Sequence, residues 1–315
     1  MEQYSVYRDI QARTGGEIYL GVVGPVRTGK STFIKRFMEQ MVLPGITDEN
    51  QKNRTRDELP QSVAGKTIMT TEPKFVPKEA ARIALGEDTA VQVRLVDCVG
   101  FMTEGAGGHL ENEKERLVKT PWSEESIPFT MAAEIGTRKV IRDHSTIGLV
   151  ITTDGSFGEL ERQAYIKPEG TAVRELQEIG KPFLVLLNSS RPYSEETRNL
   201  AKELETKYEV CVMPVNCEQL KPGDIYQILK QVLFEFPVTE VDFQIPKWLE
   251  LLPASHWLKQ QAVKAARNAM SHIRRMKDLT DSWKDDEAKA VSSMETGRMD
   301  LSDGKVAVRM LFDED

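Results

Sequence analysis

Apolar positions along the chain fall into two rhythms. Short, nearly continuous apolar runs occupy 18–23, 91–96, 146–152, 182–188 and 210–216. Between and after them, apolar residues recur every three to four positions over 30–41, 131–144, 170–179, 195–208 and 225–234. A strand without polar alternation is buried on both faces, and a helix after each strand supplies the cover. The order predicts an α/β domain: a mostly parallel sheet flanked by helices.

Beyond Pro237 the rhythm changes. Residues 238–245 alternate apolar and polar, as a half-exposed strand does. Residues 248–276 are helical in pattern, and 278–299 are polar and charged without a clear period. Residues 301–312 read as a hairpin with Asp303-Gly304 at its turn. Apolar residues here look too few for a robust core. The change divides the chain into a domain over 1–237 and a small α+β extension over 238–315. No internal repeat is visible.

Composition narrows the function. The chain has 315 residues, of which 40% are hydrophobic, so a sizeable core is available and global disorder is excluded. The net charge of −7 argues against a nucleic-acid binder, which needs a basic face. Cys98, Cys211 and Cys217 show no metal-ligand spacing and read as small buried hydrophobes in a reducing compartment. The first fifteen residues are polar and charged, and no apolar stretch approaches the ~20 residues that span a bilayer. The expectation is a soluble, cytoplasmic protein.

The run 18–23 leads into Gly24-Pro25-Val26-Arg27-Thr28-Gly29-Lys30-Ser31, and a helical pattern follows. This is G-x-x-x-x-G-K-[ST] in its required strand-to-helix context, which marks a P-loop nucleotide triphosphatase. Glycines let successive N–H groups face phosphates at the positive end of the helix. The candidate phosphate contacts are Gly24, Arg27, Thr28, Gly29, Lys30, Ser31 and Thr32. Lys30 is expected to reach the β- and γ-phosphates, and Ser31 to offer its hydroxyl to Mg²⁺. Asp97 ends the run 91–96 and is the second candidate metal ligand. Asp97-Cys98-Val99-Gly100 also fits D-x-x-G, whose glycine contacts the γ-phosphate in GTPase-type folds. Between the motifs, Gly65-Lys66-Thr67-Ile68-Met69-Thr70-Thr71 is rich in hydroxyls. Thr70 and Thr71 are the best candidates to close on Mg²⁺ and the γ-phosphate as a switch loop does, with Thr71 counted among the metal ligands. A plain surface loop is the alternative.

Two departures from the GTPase pattern stand out. A water-orienting Gln directly follows D-x-x-G in Ras-like enzymes, but Phe101 stands here. Arg27 is then a candidate for stabilising developing charge, with a solvent-facing loop side chain as the other reading. The guanine-reading N-K-x-D becomes Asn188-Ser189-Ser190-Arg191. Arg191 carries donors only, so it cannot pair with the guanine N1–H and N2–H₂.

Several stretches together closely resemble the stage IV sporulation protein A family, spore coat morphogenetic ATPases of endospore-forming bacteria. They are the run from Thr14 into the P-loop, Asp57-Glu58-Leu59-Pro60-Gln61-Ser62, and the hydroxyl-rich loop. Leu95-Val96-Asp97-Cys98-Val99-Gly100, Ala133-Glu134-Ile135-Gly136-Thr137-Arg138 and Ile151-Thr152-Thr153-Asp154-Gly155 complete the set. The resemblance covers roughly residues 4–257. It implies a GTPase-type (TRAFAC-like) fold that takes ATP, with ATPase residues at Lys30, Asp97, Thr70 and Thr71. It also implies hydrolysis-coupled self-assembly into a polymer, in the mother-cell cytoplasm against the outer forespore membrane. The implied partners are copies of itself, a small amphipathic membrane-anchor peptide and other coat proteins. Family members run well beyond residue 315, so the resemblance implies either a truncated chain, with 238–315 part of a longer region, or a shortened relative. Other readings of the residues are a GTPase-type switch, a scaffold that binds ATP without hydrolysing it, and a small-molecule kinase. For the kinase no acceptor pocket or Arg-rich lid is identifiable.

Overall fold

The structure is a computed structural model that describes residues 9–60, 72–84, 90–107, 110–111, 114–158, 160–279, 282–283 and 290–312. These residues form two compact units, one of 14–232 and one of 233–312 with 9–13.

The first unit is built on a six-stranded sheet. Its strands are β1 (Glu17–Val23), β2 (Lys74–Ala84), β3 (Ala90–Asp97), β4 (Ile147–Thr153), β5 (Phe183–Asn188) and β6 (Val212–Val215). Their order is β6-β5-β4-β1-β3-β2. All neighbours are parallel except β2, which runs antiparallel to β3 at one edge. Every residue of β4 and β5 is buried, which is why those segments carry no polar alternation. The sequence pattern gives no sign of β2. Its Pro77, its charges and its register shift between Val76 and Ala81 suit an edge strand and hide the period of two.

Helices α1 (Lys30–Phe37), α2 (Glu49–Asp57), α3 (Phe129–Lys139), α4 (Arg162–Ile179), α5 (Glu195–Tyr208) and α6 (Pro222–Phe234) accompany the sheet. A hairpin of Leu117–Thr120 and Ser123–Pro128 precedes α3. Wider π-helical turns extend α1 over Met38–Val42 and α3 over Val140–His144. The Lys181 ammonium closes the second by donating to the carbonyls of Ile141, Arg142 and Ser145 at 2.6–2.8 Å.

The α4 helix starts eight residues before the expected 170, with Pro168 inside it. An internal proline removes a backbone hydrogen bond and costs about 3 kcal/mol. The neighbouring Glu169 compensates. Its fully buried carboxylate takes the Arg162 guanidinium at 2.6 and 2.8 Å, the Tyr208 hydroxyl at 2.8 Å and the Thr152 hydroxyl at 2.6 Å. These bonds join α4, α5 and β4, and burial beside Glu169 pushes the Tyr208 hydroxyl up.

The second unit has a four-stranded sheet of β7 (Glu240–Gln244), β8 (Ser282–Trp283), β9 (Val291–Asp300) and β10 (Lys305–Phe312), in the order β7-β10-β9-β8. Two expectations are corrected here. The hairpin is longer than 301–312, because β9 lies in the stretch that shows no period. Register shifts in β9 space its buried Val291 and Met294 three apart instead of two. The unit also has a core of its own, despite its few large apolar residues. Ala262, Ala265 and Ala269 form the buried face of α7 (Trp257–His272), and Met276, Met294 and Met310 fill the space around them. The helical pattern 248–276 is broken after Glu250, near Pro253, and α7 resumes at Trp257. Residues 9–13 belong to this unit, and their Arg13 donates to the Pro237 carbonyl at 2.6 Å and lies over the Phe236 ring. Among the described residues no helix is long and apolar enough to cross a membrane.

Removing one partner from a buried, fully bonded charge network is costly. Glu169→Ala should lower the unfolding free energy by about 3–5 kcal/mol, read from urea denaturation. A loss below about 1 kcal/mol would show that the network is not a structural tie.

Candidate functional site

The site forms where β1 and β3 end side by side. Val23 hands the chain to the loop Gly24–Gly29, and α1 begins at Lys30. Gly29 sits at φ +97°, and a Cβ there would fall 2.5 Å from the Asn188 side-chain amide. The first turn of α1 has no acidic residue, and no side chain caps it. Its N–H groups and helix dipole therefore face the loop, ready for an anion.

Backbone bonds stitch this loop to the segment after β3. Phe101 N–H donates to the Gly24 carbonyl at 3.0 Å, and Val26 N–H to the Phe101 carbonyl at 2.9 Å. The Thr103 hydroxyl donates to the Val26 carbonyl, and the Thr28 hydroxyl to that of Pro25. The Phe101 side chain is buried in the sheet's core, which is where the residue after D-x-x-G spends itself. Gly100 is locked by contact as well. At φ +96°, a Cβ would fall 2.2 Å from the Gly24 oxygen and 2.6 Å from Lys30 Nζ. Its N–H donates to the fully buried Thr137 hydroxyl at 3.2 Å.

Lys30 is buried, and its ammonium donates to the Pro25 carbonyl at 2.5 Å and more weakly to that of Gly24 at 3.5 Å. Burial pushes the ammonium below the ordinary lysine range, against the pull of neighbouring Cys98 and Asp97. The Ser31 hydroxyl donates to Asp97 Oδ2 at 2.8 Å. Asp97 Oδ1 is buried with no hydrogen-bond partner. Burial raises the Asp97 carboxyl above its usual range, opposed by the Ser31 bond and the Lys30 charge. An orphaned carboxylate oxygen beside a serine hydroxyl fits a hard divalent cation such as Mg²⁺, which takes one or two protein oxygens and completes its shell with phosphate and water. Among the described residues no cluster of three His, Cys, Asp or Glu could serve as an all-protein cage. Burial pushes the Cys98 thiol up to about 11, which disfavours the thiolate.

Asn188, at the end of β5, braces the loop. Its side-chain nitrogen donates to the Thr28 carbonyl at 3.0 Å, and its oxygen accepts from Cys217 N–H at 3.0 Å. That second bond fixes the turn Cys217–Gln219, which with Thr32, Lys35 and Arg36 borders an open groove of about 420 Å³. Ser189 points inward: it is fully buried, accepts from Arg191 N–H at 3.0 Å and meets the Thr197 hydroxyl at 3.2 Å. Arg27 and Arg191 are exposed, and Arg27 takes φ +66°.

The structure thus joins Gly24, Thr28, Gly29, Lys30, Ser31, Asp97, Gly100 and Asn188 in one set of contacts. Thr32 lines the adjacent groove. Thr70 and Thr71 lie outside the described residues, as does Thr67. Two residues carry roles that the sequence reading did not assign. Thr137 meets Gly100, and its signal is a threonine on the buried face of an amphipathic helix. Asp154, just past β4, accepts from Ser156 N–H at 2.9 Å and the Thr197 hydroxyl at 3.2 Å. Burial alone would raise Asp154, but its hydrogen bonds outweigh this and hold it below the usual carboxylate range.

A family model described as the ATPase domain of stage IV sporulation protein A matches residues 1–237, and one for the middle domain of that protein matches 238–315. The chain belongs to the stage IV sporulation protein A family. Proteins of that name from Clostridioides difficile (strain 630) and Bacillus subtilis (strain 168) are 51% and 50% identical to it over 275 and 279 residues. These alignments cover 87% and 89% of this chain but 56% and 57% of the relatives, so the chain spans little more than half their length. It is a sporulation protein with an ATPase domain.

The Asn188 brace makes a direct prediction for this ATPase domain. Asn188→Ala orphans the Cys217 N–H and the Thr28 carbonyl, at about 1–3 kcal/mol for each buried group. Stability should fall by that order and ATP affinity at least about tenfold, read by urea unfolding and fluorescent-nucleotide titration. Wild-type affinity in a folded variant would show that the brace does not shape the loop.

Proposed function

We propose that the first unit is a Mg²⁺-dependent ATPase on a GTPase-type P-loop fold. The observation that carries this reading is the Ser31–Asp97 pair, with an unpartnered carboxylate oxygen beside Lys30 and the uncapped start of α1. The sheet order supports the fold type, with its antiparallel edge strand, a phosphate loop after β1 and D-x-x-G after β3.

In this reading the N–H groups of the loop and of α1 receive the phosphates. Lys30 exchanges its bonds to the loop carbonyls for bonds to β- and γ-phosphate oxygens. Ser31 and Asp97 hold Mg²⁺, with Thr70 or Thr71 closing from the switch loop. Held by these residues, Mg²⁺ would supply positive charge that offsets charge developing on the phosphates. Gly100 N–H would meet the γ-phosphate, and Arg27 would answer developing charge. The base is adenine, because Arg191 offers donors where guanine needs an acceptor. Orphaned guanine donors cost about 1–3 kcal/mol each, enough for about tenfold discrimination.

Phe101 favours a second reading, an ATP-binding scaffold that does not hydrolyse. Its side chain is buried, so it cannot orient the attacking water. One assay separates the readings. Under single turnover, wild-type protein should release phosphate from ATP faster than from GTP, and EDTA should abolish release. Lys30→Ala should lose binding and turnover, and Asp97→Ala should lose turnover while keeping some binding. Full activity in EDTA sinks the metal site, equal use of GTP sinks the base assignment, and binding without release supports the scaffold.

Family membership supports a larger role for the whole protein. It would polymerise after hydrolysis into the base layer of the spore coat, at the forespore surface in the mother cell. It would be held there by a small amphipathic anchor peptide and would carry further coat proteins. Since this chain matches little more than half of its relatives, residues 1–315 should hydrolyse ATP yet sediment poorly as polymer. Robust filaments from these residues alone would overturn that division of labour.

A further inference from the structure

Gly100 has one N–H to give. The Thr137 hydroxyl accepts it at 3.2 Å and donates its own proton to the Ala133 carbonyl at 2.8 Å. Both threonine and glycine are buried, so this is a dry, closed chain of hydrogen bonds between α3 and the D-x-x-G segment. Gly100 also packs against Lys30 Nζ and the Gly24 oxygen. Its backbone therefore lies at the phosphate end of the site, held there by Thr137.

We propose that Thr137 is a positioning residue that competes with the terminal phosphate for the Gly100 N–H and so sets the preference for triphosphate over diphosphate. The inference rests on the ATPase reading of the site. A hydroxyl is a neutral acceptor, whereas a phosphate oxygen forms a charge-assisted bond about twice as strong. A γ-phosphate can draw the N–H from Thr137, but a diphosphate has no group at that position and leaves the N–H with the threonine. The exchange would be felt on α3. That helix widens into its π-helical turn at Val140, three residues after Thr137, and Arg138 beside it holds Glu175 of α4 at 2.7 Å. Wide turns of this kind recur at functional positions in helices.

The test uses the full chain with Mg²⁺, ADP and the non-hydrolysable β,γ-imido analogue of ATP. Thr137→Val keeps the shape but removes the hydroxyl acceptor, so the N–H keeps only the weak Cys98 sulfur until a γ-phosphate takes it. The ratio of analogue affinity to ADP affinity should rise about tenfold, while Thr137→Ser should keep the wild-type ratio. A structural role alone would weaken both ligands together and leave the ratio unmoved. An unchanged ratio in Thr137→Val, or an equal rise in Thr137→Ser, overturns the proposal. Wild-type protein that binds neither nucleotide overturns the ATPase reading beneath it. A second measurement needs no variant: the Gly100 amide proton should move downfield when the analogue replaces ADP in the wild-type protein. A resonance that does not move between the two complexes overturns the proposal even if Thr137→Val does not fold.

Discussion

The backbone crossing between the phosphate loop and the segment after β3 fixes the geometry on which the rest of the site depends. Gly24 and Val26 exchange hydrogen bonds with Phe101, so two chain segments that leave neighbouring strands are tied beyond the sheet edge. The tie brings Gly100 so near to Gly24 and Lys30 that no side chain fits there. It also sets Asp97 opposite Ser31. Asn188 repeats the device on the other side of the loop, linking Thr28 to Cys217. The loop is thus held from both flanks, by the segment after β3 and by Asn188 at the end of β5.

The same closeness sets the electrostatics. Burial lowers Lys30 and raises Asp97, so each is driven toward its neutral form, and their mutual attraction opposes both shifts. Taking a charge out of water costs several kcal/mol unless partners replace the lost hydration. For Lys30 those partners are loop carbonyls, which are weaker than phosphate oxygens. For Asp97 they are the Ser31 hydroxyl and the backbone N–H of Cys98, with Oδ1 left over. A polyanion and a divalent cation are the charges that would complete the two shells at once, and under the proposed function each would reinforce the other. Glu169 shows the contrast. Its carboxylate is fully buried and fully bonded, and it has nothing left to offer a ligand.

What the sequence revealed follows from which interactions are local. The parallel strands were legible because burial on both faces erases polar alternation, and the phosphate loop because its glycines, lysine and serine are contiguous. The edge strand β2 was not, since an edge tolerates Pro77 and charge. The core of the second unit was missed because alanines and methionines build it, and the strand β9 because its register shifts break the period of two. Within the site, Lys30, Ser31 and Asp97 could be named from spacing, but Thr137 could not. It lies 37 residues from Gly100, and only the packing of α3 brings the two together.

The two departures from the GTPase pattern have a common physical form. At 101 and at 189, a position that touches ligand in that pattern has been turned inward. The Phe101 side chain joins the core while its backbone keeps the loop tie, and the Ser189 hydroxyl bonds to Thr197 and to Arg191 N–H. The framework residues beside them, Gly100 and Asn188, keep their places. The backbone framework of the loop is therefore separable from the side chains at 101 and 189. Under the proposed adenine preference, substitutions at 189 and 191 would act differently. A lysine at 189 would replace a fully buried hydroxyl with a long cation and break the bonds that shape the loop, so it would damage the scaffold before altering preference. Arg191 is exposed and bonded to this loop through its backbone, so Arg191→Asp changes the character of the surface while leaving that bond in place.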